Sequence, residues 1–301
     1  MVTDVAAQLH VPVAELRSGQ RFEGRFACTR KDRLTARNGS AYLSLELRDR
    51  TGSIAARVFR DAERIGLRFE AGDAIAARGR TSRFRGELVA ELDDVRALEP
   101  HEADPAQFLP AAYRSVDELD GFLEHLTRGI ADQGLRDVVV GLVHAGPFAG
   151  EFRRAPCTRG GHHSYLGGLL EHTVAVATLV PELCTLHPRL DSDLLLAAAI
   201  VHDVGKTREF TYGARFETSE EGRLLGHLAI GATMIGEVAS GLPDERRLAL
   251  LHCVLSHHGA EAGPLARSGP GGRGFGSPEA LALQRLNALD ASVKGVLEHG
   301  T

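Results

Sequence analysis

An apolar run that opens at Asp191-Ser192 and closes on Val201-His202-Asp203-Val204-Gly205-Lys206 constrains this chain more than any other segment. A helix this apolar belongs in a core, so its last residues arrive inside the fold. Leu195, Ala199 and His202 share one helical face. His202 and Asp203 then converge from adjacent directions on one metal ion, and the second carboxylate oxygen is free for another. Gly205 is read as the residue that ends the helix.

Other segments repeat the pattern at helical spacing. Tyr165, Leu169, His172, Val176 and Leu179 form one stripe, and His227, Ile230, Met234 and Val238 another. Leu250, Val254 and His257 form a third, with Leu251, Leu255 and His258 beside it. In the last helix, capped by Ser277 with Pro278 in its first turn, Leu283, Leu286, Asp290 and Val293 align. A lone inward imidazole is ordinarily a hydrogen-bonded core residue. Imidazoles and carboxylates on so many buried faces are costly unless something binds them, which points to a metal centre.

The N-terminal region has another rhythm. Arg21–Arg30, Ala41–Leu47, Ile54–Phe59, Asp73–Thr81 and Glu87–Leu98 read as strands separated by turn residues, with a short helix at Asp61–Phe69. Strands in that order, with a helix after the third, predict an OB-fold barrel over residues 1–99, an oligonucleotide-binding architecture. Its first inter-strand loop carries Lys31, Arg33 and Arg37, and Tyr42, Phe59 and Phe84 offer stacking faces beside Arg48, Arg57 and Arg83.

Residues 1–99 hold 18 Lys/Arg against 15 Asp/Glu, which leaves 17 against 25 for the remainder of a chain with 35 and 40 in all. A mildly basic half suited to a polyanion is thus joined to an acidic half suited to cations. Residues 100–116, with three prolines, read as a linker and 117–301 as an all-α domain; Gly259–Ser277 reads as a surface loop. Cys28, Cys157, Cys184 and Cys253 lack metal-site spacing and read as buried reduced thiols. No basic leader or uninterrupted apolar span is found, so the expectation is a cytoplasmic protein without a membrane.

The order His172, His202-Asp203, Asp290 resembles the HD superfamily of metal-dependent phosphohydrolases, and His227 with His257-His258 resembles its two-metal members. The segments His162–His172, His202–Lys206, Leu225–His227 and Leu255–Gly259, following an OB barrel, are similar to those of the YhaM-type 3′-to-5′ exoribonucleases. A longer glycine-rich segment, Gly263–Gly276, departs from that pattern at one edge of the site.

The resemblance implies one ion held by His172, His202, Asp203 and Asp290, and a second held by His227, His257 and His258, with Asp203 bridging. It favours Mn²⁺ or Co²⁺; the ligand types leave Fe²⁺, Zn²⁺ and Mg²⁺ open. Paired divalent ions activate water and stabilise the charge of in-line phosphoryl displacement. Lys206 is placed on a non-bridging phosphate oxygen, its rival reading being a salt bridge to Glu209. His163, or its neighbour His162, is placed to protonate the leaving ribose oxygen or bind substrate. Glu171 is a candidate to orient His172. The implied activity is two-metal hydrolysis of single-stranded RNA, with single-stranded DNA left open, to nucleoside 5′-monophosphates. A phosphodiesterase for cyclic or small nucleotides, and a nucleic-acid-binding protein with a non-catalytic metal module, are the rival readings. The sequence leaves the oligomeric state open, a homo-oligomer included.

Overall fold

In β2 (Ala41–Asp49) and β3 (Gly52–Val58) every second side chain is apolar, and these are the ones that turn inward: Leu43, Leu45 and Leu47 face Ile54, Ala56 and Val58. The computed structural model describes residues 11–36, 39–259 and 274–300. With β1 (Arg21–Thr35), β4 (Ala74–Phe84) and β5 (Glu87–Ala97) these strands close a barrel in the order β1-β2-β3-β5-β4, with β4 returning to β1 and β3 parallel to β5. This is the OB-fold arrangement. Phe22, Phe26 and Ile75 complete its core, and the short helix α1 (Ala62–Gly66) adds Ala62 and Ile65. At the β2–β3 turn the buried Asp49 carboxylate accepts from the amides of Val13 (2.8 Å), Thr51 (2.7 Å) and Gly52 (3.2 Å), which removes the cost of burying its charge.

The chain divides into two compact units, Met1–Pro110 with Tyr212–Phe216, and Ala111–Thr211 with Glu217–Thr301. The stretch read as a linker is held in place. Pro100–Glu102 and Pro105–Gln107 are 3₁₀ turns, and Phe108 and Leu109 are buried.

The second unit is helical: α2 (Val116–Arg128), α3 (Gln133–Val139), α4 (Ala149–Arg154), α5 (Gly168–Thr178), α6 (Val180–Leu186), α7 (Ser192–Val201), α8 (Lys206–Glu209), α9 (Glu220–Val238), α10 (Asp244–Ser256) and α11 (Pro278–His299). A two-stranded hairpin, β6 (Phe210–Tyr212) and β7 (Phe216–Thr218), interrupts the helices. Its alternation is too short to stand out against the flanking helical pattern. Every residue of α7 from Leu194 to Val201 is buried, and this central helix packs on α2, α3, α5, α6, α10 and α11. Asp191 caps α7 by accepting from the Leu194 amide (3.0 Å), and Ser277 caps α11 from the Ala280 amide (3.1 Å).

Gly168–Leu186 and Glu220–Gly241 are long and apolar enough to cross a membrane by length and composition. The sequence criterion of an unbroken apolar run passes over them because each carries acidic and imidazole side chains. The glycine-rich segment falls largely on residues 260–273, outside the described residues, as does Arg37.

Candidate metal centre and nucleic-acid face

α7 ends at Val201 and α10 at Ser256, and the residue capping each is a histidine, His202 and His257. The two are held alike. His202 donates Nδ1–H to the Ala199 carbonyl (2.9 Å) and His257 donates Nδ1–H to the Val254 carbonyl (2.6 Å), each three residues back. Both therefore present a bare Nε2 forward. Both helices also end here, and the partial negative charge of a helix C-terminus favours a cation.

His172 and His227 are fixed the same way from other elements. His172, on α5, donates Nδ1–H to Asp290 Oδ2 of α11 (2.6 Å); His227, on α9, donates Nδ1–H to Glu209 of α8 (3.1 Å). A hydrogen bond to one ring nitrogen selects the tautomer that leaves the other free to ligate. α9 kinks at Gly226 (φ 68°, ψ 158°), a conformation that favours glycine, immediately before His227.

These nitrogens converge on Asp203. Its Oδ2 lies 3.3 Å from His202 Nε2 and 3.5 Å from His172 Nε2, while its Oδ1 lies 3.4 Å from His257 Nε2 and 3.5 Å from His227 Nε2. His172 and His202 face each other at 3.2 Å through Nε2, and His227 meets His258 at 2.9 Å. Asp203 Oδ1 and His257 Nε2 are buried without a hydrogen-bond partner. Lone pairs packed together in a dry interior repel unless a cation lies among them. Among the described residues, two donor groups share Asp203, His172-His202-Asp203 and Asp203-His227-His257-His258. Nitrogen and carboxylate donors in this number fit a divalent metal.

Burial sets the charges. It pushes the imidazoles of His172 and His258 down to about 4 and that of His257 to about 3, so all three are neutral and ready to ligate at neutral pH. Burial opposes the charge on Asp203, but the Lys206 ammonium 2.7 Å from its Oδ2 and the neighbouring His202 outweigh it and hold the carboxyl well below its usual range. Between the ordinary histidine value of 6.5 and about 4, the unfolded imidazoles of His172 and His257 bind protons that the native ones refuse. Their contribution to stability is complete above 6.5 and is lost as pH falls toward 4, at roughly 1.4 kcal/mol per pH unit per group. Thermal unfolding of chelator-treated protein between pH 7.5 and 4.5 should show that decline; a flat profile contradicts the neutral assignment.

The sequence-named residues meet here, with differences. Asp290 gathers with His163 and His172 rather than with the donors around Asp203: its Oδ2 takes both His172 Nδ1 and His163 Nε2 (3.0 Å). His163 is buried at φ 52°, its amide bonded to Glu298 (2.9 Å), its Nδ1 to the Tyr165 hydroxyl (2.8 Å), and Tyr165 in turn to Glu171. Burial opposes its charge, but Asp290 and Glu171 outweigh it and raise its pKa. Enclosed this way, the His163 ring faces Asp290, Tyr165 and Glu171 rather than the cavity, unlike the substrate-facing place expected from the sequence. Its neighbour His162 lines the cavity instead.

Lys206 pairs with Asp203, not with Glu209, which is engaged by His227. Gly205 is not a left-handed stop: its backbone is right-handed helical (φ −61°), in a turn that follows the helix end at Val201. Cys157, given no role by its spacing, lies 3.4 Å from Lys206 Nζ and 3.9 Å from Asp203 Oδ2, its thiol pushed up to about 12 chiefly by burial. Cys28 and Cys253 are also buried and Cys184 is half-buried, all as free thiols.

On the barrel, the sequence-named side chains separate. Lys31 lies on β1 rather than a loop, and its ammonium bonds the carbonyls of Gly66 (2.6 Å) and Phe69 and the Glu70 carboxylate, pinning the segment after α1. Lys31, named from the sequence as a nucleic-acid contact, is engaged by the chain's own carbonyls and carboxylate here. Arg33, also on β1, pairs with Glu63. Tyr42 and Phe59 stand opposite each other with ring centroids 5.4 Å apart, and Arg57 lies 4.0 Å over the Phe84 ring. Phe59 and Phe84 are exposed. Together they make an outward aromatic and cationic face on β2, β3, β4 and the residue after β3.

Comparison with known proteins follows the same division. Residues 169–292 match the HD domain model, and residues 23–98 match the model of the OB-fold nucleic acid binding domain. The chain is 30% identical over 286 residues to the "3'-5' exoribonuclease YhaM" of Halalkalibacterium halodurans, covering 91% of this chain and 84% of that protein. It is 31% identical over 285 residues to the protein of that name from Oceanobacillus iheyensis, covering 91% and 85%. With the Bacillus subtilis protein it shares 29% over 267 residues, covering 86% and 81%. A barrel with an outward aromatic and cationic face, a helical unit whose imidazoles converge on one buried aspartate, and relatives aligned across both place the chain in the YhaM family of 3'-5' exoribonucleases.

Proposed function

We propose that the protein is a divalent-metal-dependent 3′-to-5′ exoribonuclease that shortens single-stranded RNA and releases nucleoside 5′-monophosphates. The observation that carries the reading is the set of Nε2 atoms, each oriented by a bond to the opposite ring nitrogen, facing the two oxygens of Asp203. His172 and His202 with Asp203 Oδ2 would hold one ion; His227, His257 and His258 with Oδ1 would hold another, and Mn²⁺ or Co²⁺ suits these donors. Bound ions would activate the attacking water and neutralise the phosphate. Asp290 holds His172 in register through Nδ1 and is the candidate to move into the first group. Lys206, on the cavity wall, brings a fixed positive charge to a non-bridging oxygen. The barrel face of Tyr42, Arg57, Phe59 and Phe84 would take bases by stacking.

The test is 5′-labelled single-stranded RNA incubated with the protein after chelation and after return of Mn²⁺, Co²⁺, Mg²⁺ or Zn²⁺. Stepwise loss from the 3′ end that depends on added metal supports the reading; hydrolysis of cyclic dinucleotides with no RNA shortening defeats it. In the same preparation Phe84→Ala should weaken RNA binding about 5- to 100-fold, the loss of one base stack. Lys31→Ala should lower stability while affinity stays close to native. Equal binding losses for the two variants would remove the aromatic face as the RNA contact.

A further inference from the structure

Cys157, His162 and His172 form a further donor set, with ligand atoms that all lie within 4.8 Å of one another. Only His172 is shared with the groups around Asp203. The other two come from one turn between α4 and α5, closed by its own hydrogen bonds. The Cys157 amide donates to the His163 carbonyl (3.1 Å), the Thr158 hydroxyl to the His162 carbonyl (2.8 Å), and the Gly161 amide to the Thr158 hydroxyl (2.9 Å). His162 is the informative member. Its Nδ1 is buried with no hydrogen-bond partner among the described residues, and a polar atom left that way costs free energy unless something binds it. His172 donates Nδ1–H to Asp290 and has Nε2 to offer. His162 also lines the cavity beside Asp203, which gives an ion a way in.

Sulfur changes which metal such a set prefers. Thiolate with imidazole selects Zn²⁺ and softer ions, whereas Mn²⁺ favours carboxylate and water. Ligand atoms on a tetrahedral zinc lie about 3.5 Å apart, so the three close on an ion with movements of about 1 Å or less and leave a fourth position to water. The metal takes the place of the thiol proton, which passes to solvent. The Lys206 ammonium lies 3.4 Å from the sulfur and 2.7 Å from Asp203 Oδ2, so it is then shared by a thiolate and a carboxylate, and its charge is balanced rather than opposed.

We infer that Cys157, His162 and His172 form an inhibitory site for Zn²⁺ and softer ions. An ion held there takes His172 away from the group it shares with His202 and Asp203, so zinc opposes the harder metal that supports hydrolysis. The consequence for hydrolysis rests on the ribonuclease reading; the binding of the ion does not.

The test reads Cd²⁺ binding to the chelator-treated full chain, because a cadmium–thiolate bond adds an ultraviolet charge-transfer band that imidazole and carboxylate ligands do not. The native chain should show a band that is missing from Cys157→Ala and Cys157→Ser, both of which keep Cys28, Cys184 and Cys253. Thermal unfolding of the two variants close to native shows that the loss is local. His162→Gln should need at least about 10-fold more Cd²⁺, since even a partner that only orients a ligand is worth 10- to 100-fold in affinity. In RNA hydrolysis at fixed Mn²⁺, with each rate taken relative to the same protein without zinc, Cys157→Ala should raise the half-inhibiting Zn²⁺ concentration by at least about 10-fold. A band that is absent from the native chain, or kept by both Cys157 variants, overturns the site. Equal zinc inhibition of native and Cys157→Ala overturns its inhibitory role. A native chain that hydrolyses no RNA with Mn²⁺ removes the ribonuclease reading, and the cadmium band still decides the site.

Discussion

Asp203→Asn is expected to lower kcat/KM on RNA by at least about 10²- to 10³-fold, the scale of losing one preorganised charge at a phosphoryl-transfer centre. Asparagine keeps the shape of the side chain but removes its negative charge and replaces one oxygen with an NH₂. In the native chain Oδ2 faces His172 and His202, and Oδ1 faces His227 and His257. The substitution therefore disables one donor group whichever way the amide turns. It also leaves the buried Lys206 ammonium, now 2.7 Å from Oδ2, without a counter-charge. Stripping one partner from a buried pair costs about 3–5 kcal/mol when nothing replaces it; the asparagine oxygen still accepts from Lys206, so the loss should fall below that range. Stability and activity can then be separated. Adding Lys206→Met should recover much of the lost thermal stability without restoring hydrolysis, because the pair becomes neutral while the donor group stays broken. Hydrolysis by Asp203→Asn within about tenfold of native would remove Asp203 from the centre of the chemistry.

The parts of this architecture that could be read from sequence are those whose cause is local. Inward imidazoles show as helical stripes because a buried face repeats at helical spacing, so His172, His202, His227, His257 and His258 are all legible in the sequence. The barrel showed for the same reason at period two. What escaped depends on partners far away in the chain. Lys31 looks like a free cation until the carbonyls of Gly66 and Phe69 close on it from more than thirty residues downstream. Cys157 looks inert until the fold sets it beside Asp203, 46 residues on. The choice between His162 and His163 turns on a backbone conformation, φ 52° at His163, that aims that ring at Asp290 and leaves its neighbour on the cavity.

Gly205→Ala should be nearly as damaging as loss of a metal-facing residue, although Gly205 offers no ligating atom. Its right-handed φ of −61° is open to alanine, so backbone strain is not the cause. The cause is contact. A Cβ at this position would lie 2.6 Å from the Gly231 amide nitrogen and closer still to the His227 carbonyl oxygen, both backbone atoms of α9 with no rotamer to give. The turn after Asp203 and the helix that bears His227 must therefore separate, and they bring the donors on the two sides of Asp203 together. Overpacking of this kind costs about 3 kcal/mol, which lowers the unfolding midpoint by about 6–12 °C in a unit of this size. A displacement of about 1 Å between reacting groups costs on the order of 10²-fold in rate, so activity and metal affinity should fall together. Gly236→Ala is the matched control. It lies on the same helix, its added methyl would meet nothing within 4 Å, and it should stabilise α9 by about 0.5–1 kcal/mol. If calorimetry with metal titration finds the two glycine variants alike, the close approach of α9 to Gly205 does not hold the donor groups together.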